Sequence, residues 1–281
     1  MTDAVLQRVF TRRSMRSLAA GDTGFLDHVL PMFVDSAAGQ TYADLLDHTY
    51  AYARKNYRFE YYYKNVLLEK LLLQKRKSHL TALTELPIGE AKADFVLIGR
   101  TGTVYEIKTG YDNLDRLSSQ IMNYYMAFSK VVVVTCRKHL DAVLSSTPEF
   151  VGIIELTPRG ALRTIRPAVK RTEDLKDDAM IRILRREEYE DILRKEGLKP
   201  RTRSDFRYYR ECTGLLKTLD PELLQKRVMQ ELEQRIDGRA AGRCAEFPES
   251  LHLLTYLDSF DISRDAVLLQ RALMREYGER K

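Results

Sequence analysis

The sequence predicts an α/β protein: an αβββαβ core with a mixed sheet, flanked by N- and C-terminal helical regions. Three observations carry this. Apolar residues recur at helical spacing through the first 77 or so residues, as in Val5, Val9 and Phe10, then Phe25, Val29, Leu30 and Phe33. Short β-rich runs follow, two of them separated by the turn Gly99-Arg100-Thr101-Gly102. Then Lys130-Val-Val-Val-Val-Thr-Cys136 is a β-branched run of the kind found in a strand covered on both faces.

In order, Thr41–Lys77 continues the N-terminal helices and is rich in tyrosine (Tyr50, Tyr52, Tyr57, Tyr61, Tyr62, Tyr63). Interleaved with arginine and lysine, these rings can stack on bases; on an amphipathic helix they are more often core residues with wet hydroxyls. Residues 83–88 read as a first strand whose Pro87 favours an edge or strand end. Residues 94–98 and 103–109 are the second and third. Asp112 reads as the N-cap of a helix that puts Leu114, Leu117, Ile121, Tyr124 and Phe128 on one stripe. A strand from Lys130, a short helix around 139–145, and strands at 151–156 and 161–165 complete the sheet. Charged helices follow at 177–195, 220–236 and 261–277, the second opened by Asp220-Pro221-Glu222. The expected division is 1–50, an N-terminal helical region; 51–169, the core; and 170–281, a C-terminal helical region.

At 281 residues, with 44% hydrophobic and 31% charged content, the composition is that of a soluble globular protein. No stretch approaches the ~18 consecutive apolar residues of a membrane span. The first residues hold no apolar signal segment, so a cytoplasmic location without membrane contact is expected. Cys136, Cys212 and Cys244 are scattered, an odd set without metal-site or disulfide spacing. Net charge is +6, and two windows concentrate positive charge: Arg54–Lys77 and Arg194–Arg210. Solvated helix faces explain either window as well as a polyanionic partner does.

The chemistry-bearing residues lie on the second and third strands. Glu106 and Lys108 are two apart and share one strand face, while Tyr105 and Ile107 point to the other. Paired as a hairpin, the strands can bring Asp94 to that same face. Ionised groups leave water only when paired or bound to metal, and carboxylate oxygens suit a hard divalent cation.

With strands two and three so decorated, the chain resembles the PD-(D/E)xK nuclease superfamily, whose core is restriction-endonuclease-like. The matching positions are Asp94, Glu106 and Lys108, with Ala93 where the motif has proline. A denser resemblance, to a bacterial stand-alone family of unassigned role, runs from Tyr57 to about Cys136. It rests on Tyr-Arg-x-Glu-Tyr-x-Tyr-Lys-Asn (57–65), Thr-Glu-x-x-x-Gly (84–89), Lys-Ala-Asp (92–94), Val-Tyr-Glu-Ile-Lys (104–108) and Tyr-Asp-x-Leu-Asp-Arg-Leu (111–117). The resemblance implies that Asp94, Glu106 and the Ile107 carbonyl hold Mg²⁺ or Mn²⁺, with Lys108 assisting attack of water on a phosphodiester. It also implies Glu60 as an added ligand or support of the metal site. Glu69, roughly half a turn around the same helix, cannot serve together with Glu60. Glu85 is a weaker candidate beside the site. Gln120 and Tyr124 resemble the Gln-x-x-x-Tyr element of RecB-like nucleases.

The expected activity is thus a metal-dependent deoxyribonuclease, with DNA as partner, RNA left open and oligomeric state unassigned. Lys64, Lys92, Arg201, Arg203, Arg207 and Arg210 are the candidate nucleic-acid contacts. Two other readings stand beside it: a catalytically silent nucleic-acid-binding or regulatory protein on the same fold, and an interaction scaffold using the C-terminal helices.

Overall fold

The structure is a computed structural model that describes residues 2–74, 80–202, 205–257 and 265–278. In chain order it begins with helices α1 (Thr2–Val9), α2 (Arg12–Ala20), α3 (Gly24–Val29), α4 (Tyr42–Asn56) and α5 (Glu60–Leu68), the last running on as a π-helical turn, Glu69–Leu73. Strands β1 (Thr81–Ile88), β2 (Ala91–Ile98) and β3 (Thr103–Lys108) precede α6 (Leu117–Tyr125), β4 (Lys130–Thr135), α7 (Leu140–Ser146), β5 (Gly152–Leu156) and β6 (Leu162–Arg166). Helices α8 (Asp177–Arg182), α9 (Arg186–Lys195), α10 (Asp205–Leu216), α11 (Pro221–Glu233), α12 (Ala240–Cys244), α13 (His252–Leu257) and α14 (Asp265–Leu273) follow. No helix among the described residues is long and apolar enough to cross a membrane.

The chain divides into two compact units: Met1–Ser78 with Ile236–Lys281, and His79–Arg235. This differs from the linear division expected at residues 50 and 170. The reason lies in where buried polar groups find partners. Within the second unit, the Gln225 amide on α11 donates to Ala127 O (2.9 Å), Thr81 Oγ1 on β1 donates to Glu233 O (2.9 Å), and Lys176 N donates to Met126 O (2.9 Å). Helices α8–α11 therefore belong with the sheet. Their own cohesion includes a two-pronged ion pair, Arg235 Nε and Nη2 to the Glu188 carboxylate at 2.6 and 2.7 Å. Burial pushes the Glu188 carboxyl up, but that guanidinium outweighs it and holds the group below its ordinary range.

The first unit is helical because its apolar residues recur about one helical turn apart, as in Leu6 and Val9, Met15 and Leu18, and Leu269 and Leu273, all of them buried. Asn65, fully buried, binds α5 to the C-terminal segment. Its amide donates to Tyr50 Oη and Glu249 O (both 2.9 Å), and its carbonyl accepts from Leu253 N (2.8 Å). Half of the six tyrosines in the tyrosine-rich stretch are core residues, which leaves those three no face for base stacking. Tyr50, Tyr62 and Tyr63 are buried, and Tyr50 and Tyr61 pack edge-to-face with centroids 6.5 Å apart.

The sheet of the second unit has six strands in the order β1-β2-β3-β4-β5-β6. Pairs β1–β2, β2–β3 and β5–β6 are antiparallel, while β3–β4 and β4–β5 are parallel. The mixed sheet surrounded by helices matches the expectation at that level. Pro87 lies on β1, an edge strand, where its missing donor costs nothing. Helix α6 begins later than expected. Its N-cap position is Arg116, with no side-chain cap bond, and Asp112 instead accepts from Thr109 N and Oγ1 in the preceding turn. Leu114 and Phe128 consequently lie outside the helix. Cys212 and Cys244 are buried free thiols, and Cys136 is half-buried.

Helix α11 starts where Asp220-Pro221 predicts. The Asp220 carboxylate accepts from Glu222 N (3.0 Å) and Leu223 N (3.1 Å), with Pro221 in the first turn, where no partner for its nitrogen is needed. Asp220→Ala is expected to cost about 1 kcal/mol, read as a lower denaturation midpoint at unchanged slope. An unaltered midpoint would show the cap to be dispensable.

Candidate functional site

The β2–β3 hairpin builds the site. Its ladder pairs Phe95 with Tyr105, Val96 with Val104 and Leu97 with Thr103, and Asp94 and Glu106 are the next residues beyond its end on the two strands. The strand pairing stops at Phe95–Tyr105, and beyond it a side chain takes over: Asp94 Oδ2 accepts the Ile107 N–H at 2.7 Å. The opposite face is sealed by Phe95 and Tyr105, edge-to-face at 5.9 Å. Alternation then delivers Asp94, Glu106 and Lys108 to the same side of the sheet.

Glu106 is 1% exposed and Lys108 7%. Lys108 Nζ donates to Glu106 Oε1 at 2.8 Å and to Gln120 Oε1 at 2.8 Å. The Tyr124 hydroxyl, one turn along α6 from Gln120, lies 2.5 Å from Glu106 Oε2 and 3.0 Å from Lys92 O. A hydroxyl carries one proton, so Tyr124 donates to one or shares it between both. Burial, and after it the Glu106 charge, drive the Tyr124 hydroxyl far above its ordinary pKa, which keeps it a donor. Helix α6 is held against the sheet by Leu117 and Ile121, both buried, and this fixes Gln120 and Tyr124 over the third strand. Below, Thr135 Oγ1 on β4 donates to Lys108 O at 2.9 Å.

Of the residues singled out from the sequence, the structure thus brings together Asp94, Glu106, Ile107, Lys108 and Gln120. It adds two whose part was underestimated. Tyr124 is more than a stripe residue, since it holds the second Glu106 oxygen. Glu85 stands opposite Asp94 in the β1–β2 register, between the pairs Thr84–Phe95 and Leu86–Ala93. The two carboxylates offer oxygens within 4.8 Å of one another. Glu85 also has φ +56°, a left-handed conformation that a non-glycine residue adopts at a cost, and its own pair is missing from the ladder. The register arithmetic needed to place Glu85 was available from the hairpin positions; its backbone conformation was not.

The other acidic candidates and both lysines have partners within their own units. Glu60 opens α5 in the helical unit and is ion-paired with Lys64. Lys64 itself is buried, so desolvation sets it apart from an exposed phosphate contact. Glu69 is buried and bonded to His252 Nδ1, which occupies it structurally. Lys92 is exposed and paired with Glu85. Arg201, Arg207 and Arg210 are exposed, the last two on α10, while Arg203 lies outside the described residues.

The donor set suits a hard cation. Asp94, Glu106 and Glu85 offer carboxylate oxygens, with no cysteine or histidine among them. The oxygens already engaged keep a second lone pair each.

Among known proteins, no curated protein is significantly similar to the chain. A solved structure titled as a protein of unknown function, SPO1766 from Silicibacter pomeroyi, aligns at 12% identity with a TM-score of 0.28. That alignment covers 34% of this chain and 64% of the other, so the chain spans less than two thirds of its length. Residues 53–241 match the family described as Bacteriophage P4 protein cII. That span takes in α5, the whole sheet and α6 through α11, and on it the chain belongs to the Bacteriophage P4 protein cII family.

Proposed function

We propose that the protein is a metal-dependent nuclease of the restriction-endonuclease-like class, hydrolysing phosphodiester bonds in DNA. The observation that carries the reading is the buried Lys108 ammonium, fixed between Glu106 and Gln120 on the strand that also binds the Asp94 carboxylate. A lysine and a glutamate buried together with two uncharged hydrogen-bonding groups are an expensive way to hold a hairpin closed. The cost is understandable where charge must be aimed at a reacting group.

Asp94 and Glu106, with Glu85 beside Asp94, are the residues that would hold Mg²⁺ or Mn²⁺. The ion's chemistry, when bound, is to polarise a phosphate oxygen and render a water more acidic. The chain's own part is positional. Tyr124 and Lys108 take one oxygen of Glu106 each and so fix the plane of its carboxylate. Gln120 holds the Lys108 ammonium at the mouth of β3, where it stabilises negative charge developing on phosphorus-bound oxygens.

The test is cleavage of plasmid and oligonucleotide DNA by the full chain with Mg²⁺ or Mn²⁺. Asp94→Asn is expected to abolish cleavage, and Lys108→Ala to reduce it by about 10²–10³-fold, with folding checked by circular dichroism. Wild type indistinguishable from Asp94→Asn on single-stranded, duplex and branched substrates would sink the enzyme reading. The alternative, a DNA-binding protein that does not cut, draws on exposed Arg207 and Arg210. It predicts metal-independent binding that survives Asp94→Asn and weakens on removal of those two charges.

A further inference from the structure

We propose that the exposed face of α2, together with Arg8 at the end of α1, is a second surface for the DNA phosphate backbone, carried by the helical unit. This rests on the nuclease reading for its choice of polyanion and adds a place where that substrate is gripped without metal.

The sequence concentrates charge here and does not balance it. Arg8, Arg12, Arg13 and Arg16 fall between Asp3 and Asp22, with no acid among them. On α2, Arg12, Arg13 and Arg16 lie within about 100° of arc, while Ser14, Met15 and Leu18 are buried on the other side. Arg8, Arg12 and Arg13 are exposed.

Side chains close the corner that sets Arg8 beside this helix. Thr11 Oγ1 and Ser14 Oγ both donate to Arg8 O (3.0 and 2.6 Å), and Thr11 Oγ1 accepts from Ser14 N at 3.2 Å, capping α2. Two of the guanidiniums are then held by groups that bear no charge. Arg8 lies over the Phe25 ring, 4.7 Å from its centroid, and Arg12 Nη2 donates to Leu257 O at 3.1 Å. Among the described residues no carboxylate pairs with Arg8, Arg12 or Arg13. The sheet unit does the opposite: Arg171, Arg186, Arg227 and Arg235 meet the carboxylates of Asp174, Glu190, Glu196 and Glu188.

A ring and a carbonyl orient a guanidinium without neutralising it. Arg12 spends one of its N–H donors on Leu257 O and keeps its whole charge. Like charges gathered in this way repel one another, which gains nothing for the fold. A repeating polyanion relieves that repulsion along both helices, and the planar fork of arginine matches phosphate oxygens. A lipid surface would call for apolar side chains between the cations. The exposed positions of α2 carry none larger than Ala20.

The experiment is fluorescence anisotropy of the full chain with a labelled DNA duplex in EDTA, repeated over a range of salt. Replacing Arg12 and Arg13 together by glutamine is expected to weaken binding about tenfold. The slope of log K against log salt falls by about 1.8, two phosphate contacts' worth. Arg12 also holds Leu257, so Arg13→Gln alone decides the matter if circular dichroism shows the pair unfolded; it lowers the slope by about 0.9. Arg13→Lys restores the slope, because the charge is kept. Affinity and slope unchanged in these variants overturn the proposal, as does a wild type that does not bind DNA. Sedimentation of wild type with phosphatidylserine vesicles, lost in the double variant and without DNA binding, overturns it in favour of a lipid partner. Cleavage is read separately with Mg²⁺. DNA binding that needs Arg12 and Arg13 but leads to no cleavage removes the nuclease reading alone. Asp94-dependent cleavage with the same KM in the double variant removes this one alone.

Discussion

Replacing Lys108 with methionine is expected to destabilise the sheet unit by about 3–5 kcal/mol, whatever reaction the site performs. The magnitude follows from what is left behind. Glu106 is almost wholly buried, and Lys108 is the cation that meets it. Removing the ammonium strands a carboxylate in a place where water cannot reach it, and also deprives Gln120 Oε1 of its donor. The informative partner is Glu106→Gln. The double variant, Lys108→Met with Glu106→Gln, has no stranded charge, and its loss is expected to be much smaller than the sum of the single losses. Urea denaturation of the four proteins gives the coupling directly. Additive losses would mean that the two heads do not depend on one another, and the site geometry would have to be abandoned. Cleavage should respond in the opposite sense. The double variant recovers stability and recovers no activity, because it lacks both the Glu106 carboxylate that would help hold the cation and the ammonium that would steady the phosphate.

The second large effect concerns the helical unit. His252 Nδ1 meets Glu69 Oε1, and His252 Nε2 meets Phe247 O at 3.0 Å. Both ring nitrogens face acceptors, so both must donate, and the imidazole is satisfied only as the cation. Burial by itself lowers the imidazole pKa, but the Glu69 hydrogen bond and charge outweigh it, and the net shift is upward. A folded pKa above the unfolded one near 6.5 means stability that is fully present below about pH 6.5. That contribution is lost as pH rises through the folded value. His252→Gln should therefore lower Tm most at pH 5–6, and the gap to wild type should narrow above neutrality. At the acid end the loss is expected to be about 3–5 kcal/mol, since Glu69 is left buried without its cation. A gap that widens with rising pH would show that the histidine is held neutral.

Much of the sheet was legible because strand chemistry is local. The turn at 99–102 between two apolar runs, and the valine run at 131–134, leave little choice of secondary structure. The helix start at Asp220 was equally plain, since an N-cap acts through bonds two and three residues away. Asp112 misled for the same local reason. An aspartate before an apolar stripe can cap a helix or close a turn, and only the position of Thr109 decides between them. The two-unit division was illegible because it is set by contacts between residues far apart in the chain, such as Gln225 with Ala127 in one unit and Asn65 with Leu253 in the other.

Side-chain alternation along the third strand made Glu106 and Lys108 neighbours, a consequence of strand geometry that any two residues two apart obey. Whether Asp94 would join them depended on the hairpin giving way beyond Phe95–Tyr105, so that a carboxylate and not a carbonyl receives the Ile107 amide. The left-handed backbone at Glu85 and the hold of Tyr124 on Glu106 likewise came only with folding. Spacing in a sequence specifies which side chains can share a face; long-range packing specifies which of them are brought within bonding distance. The chemistry at this edge of the sheet is decided by the second.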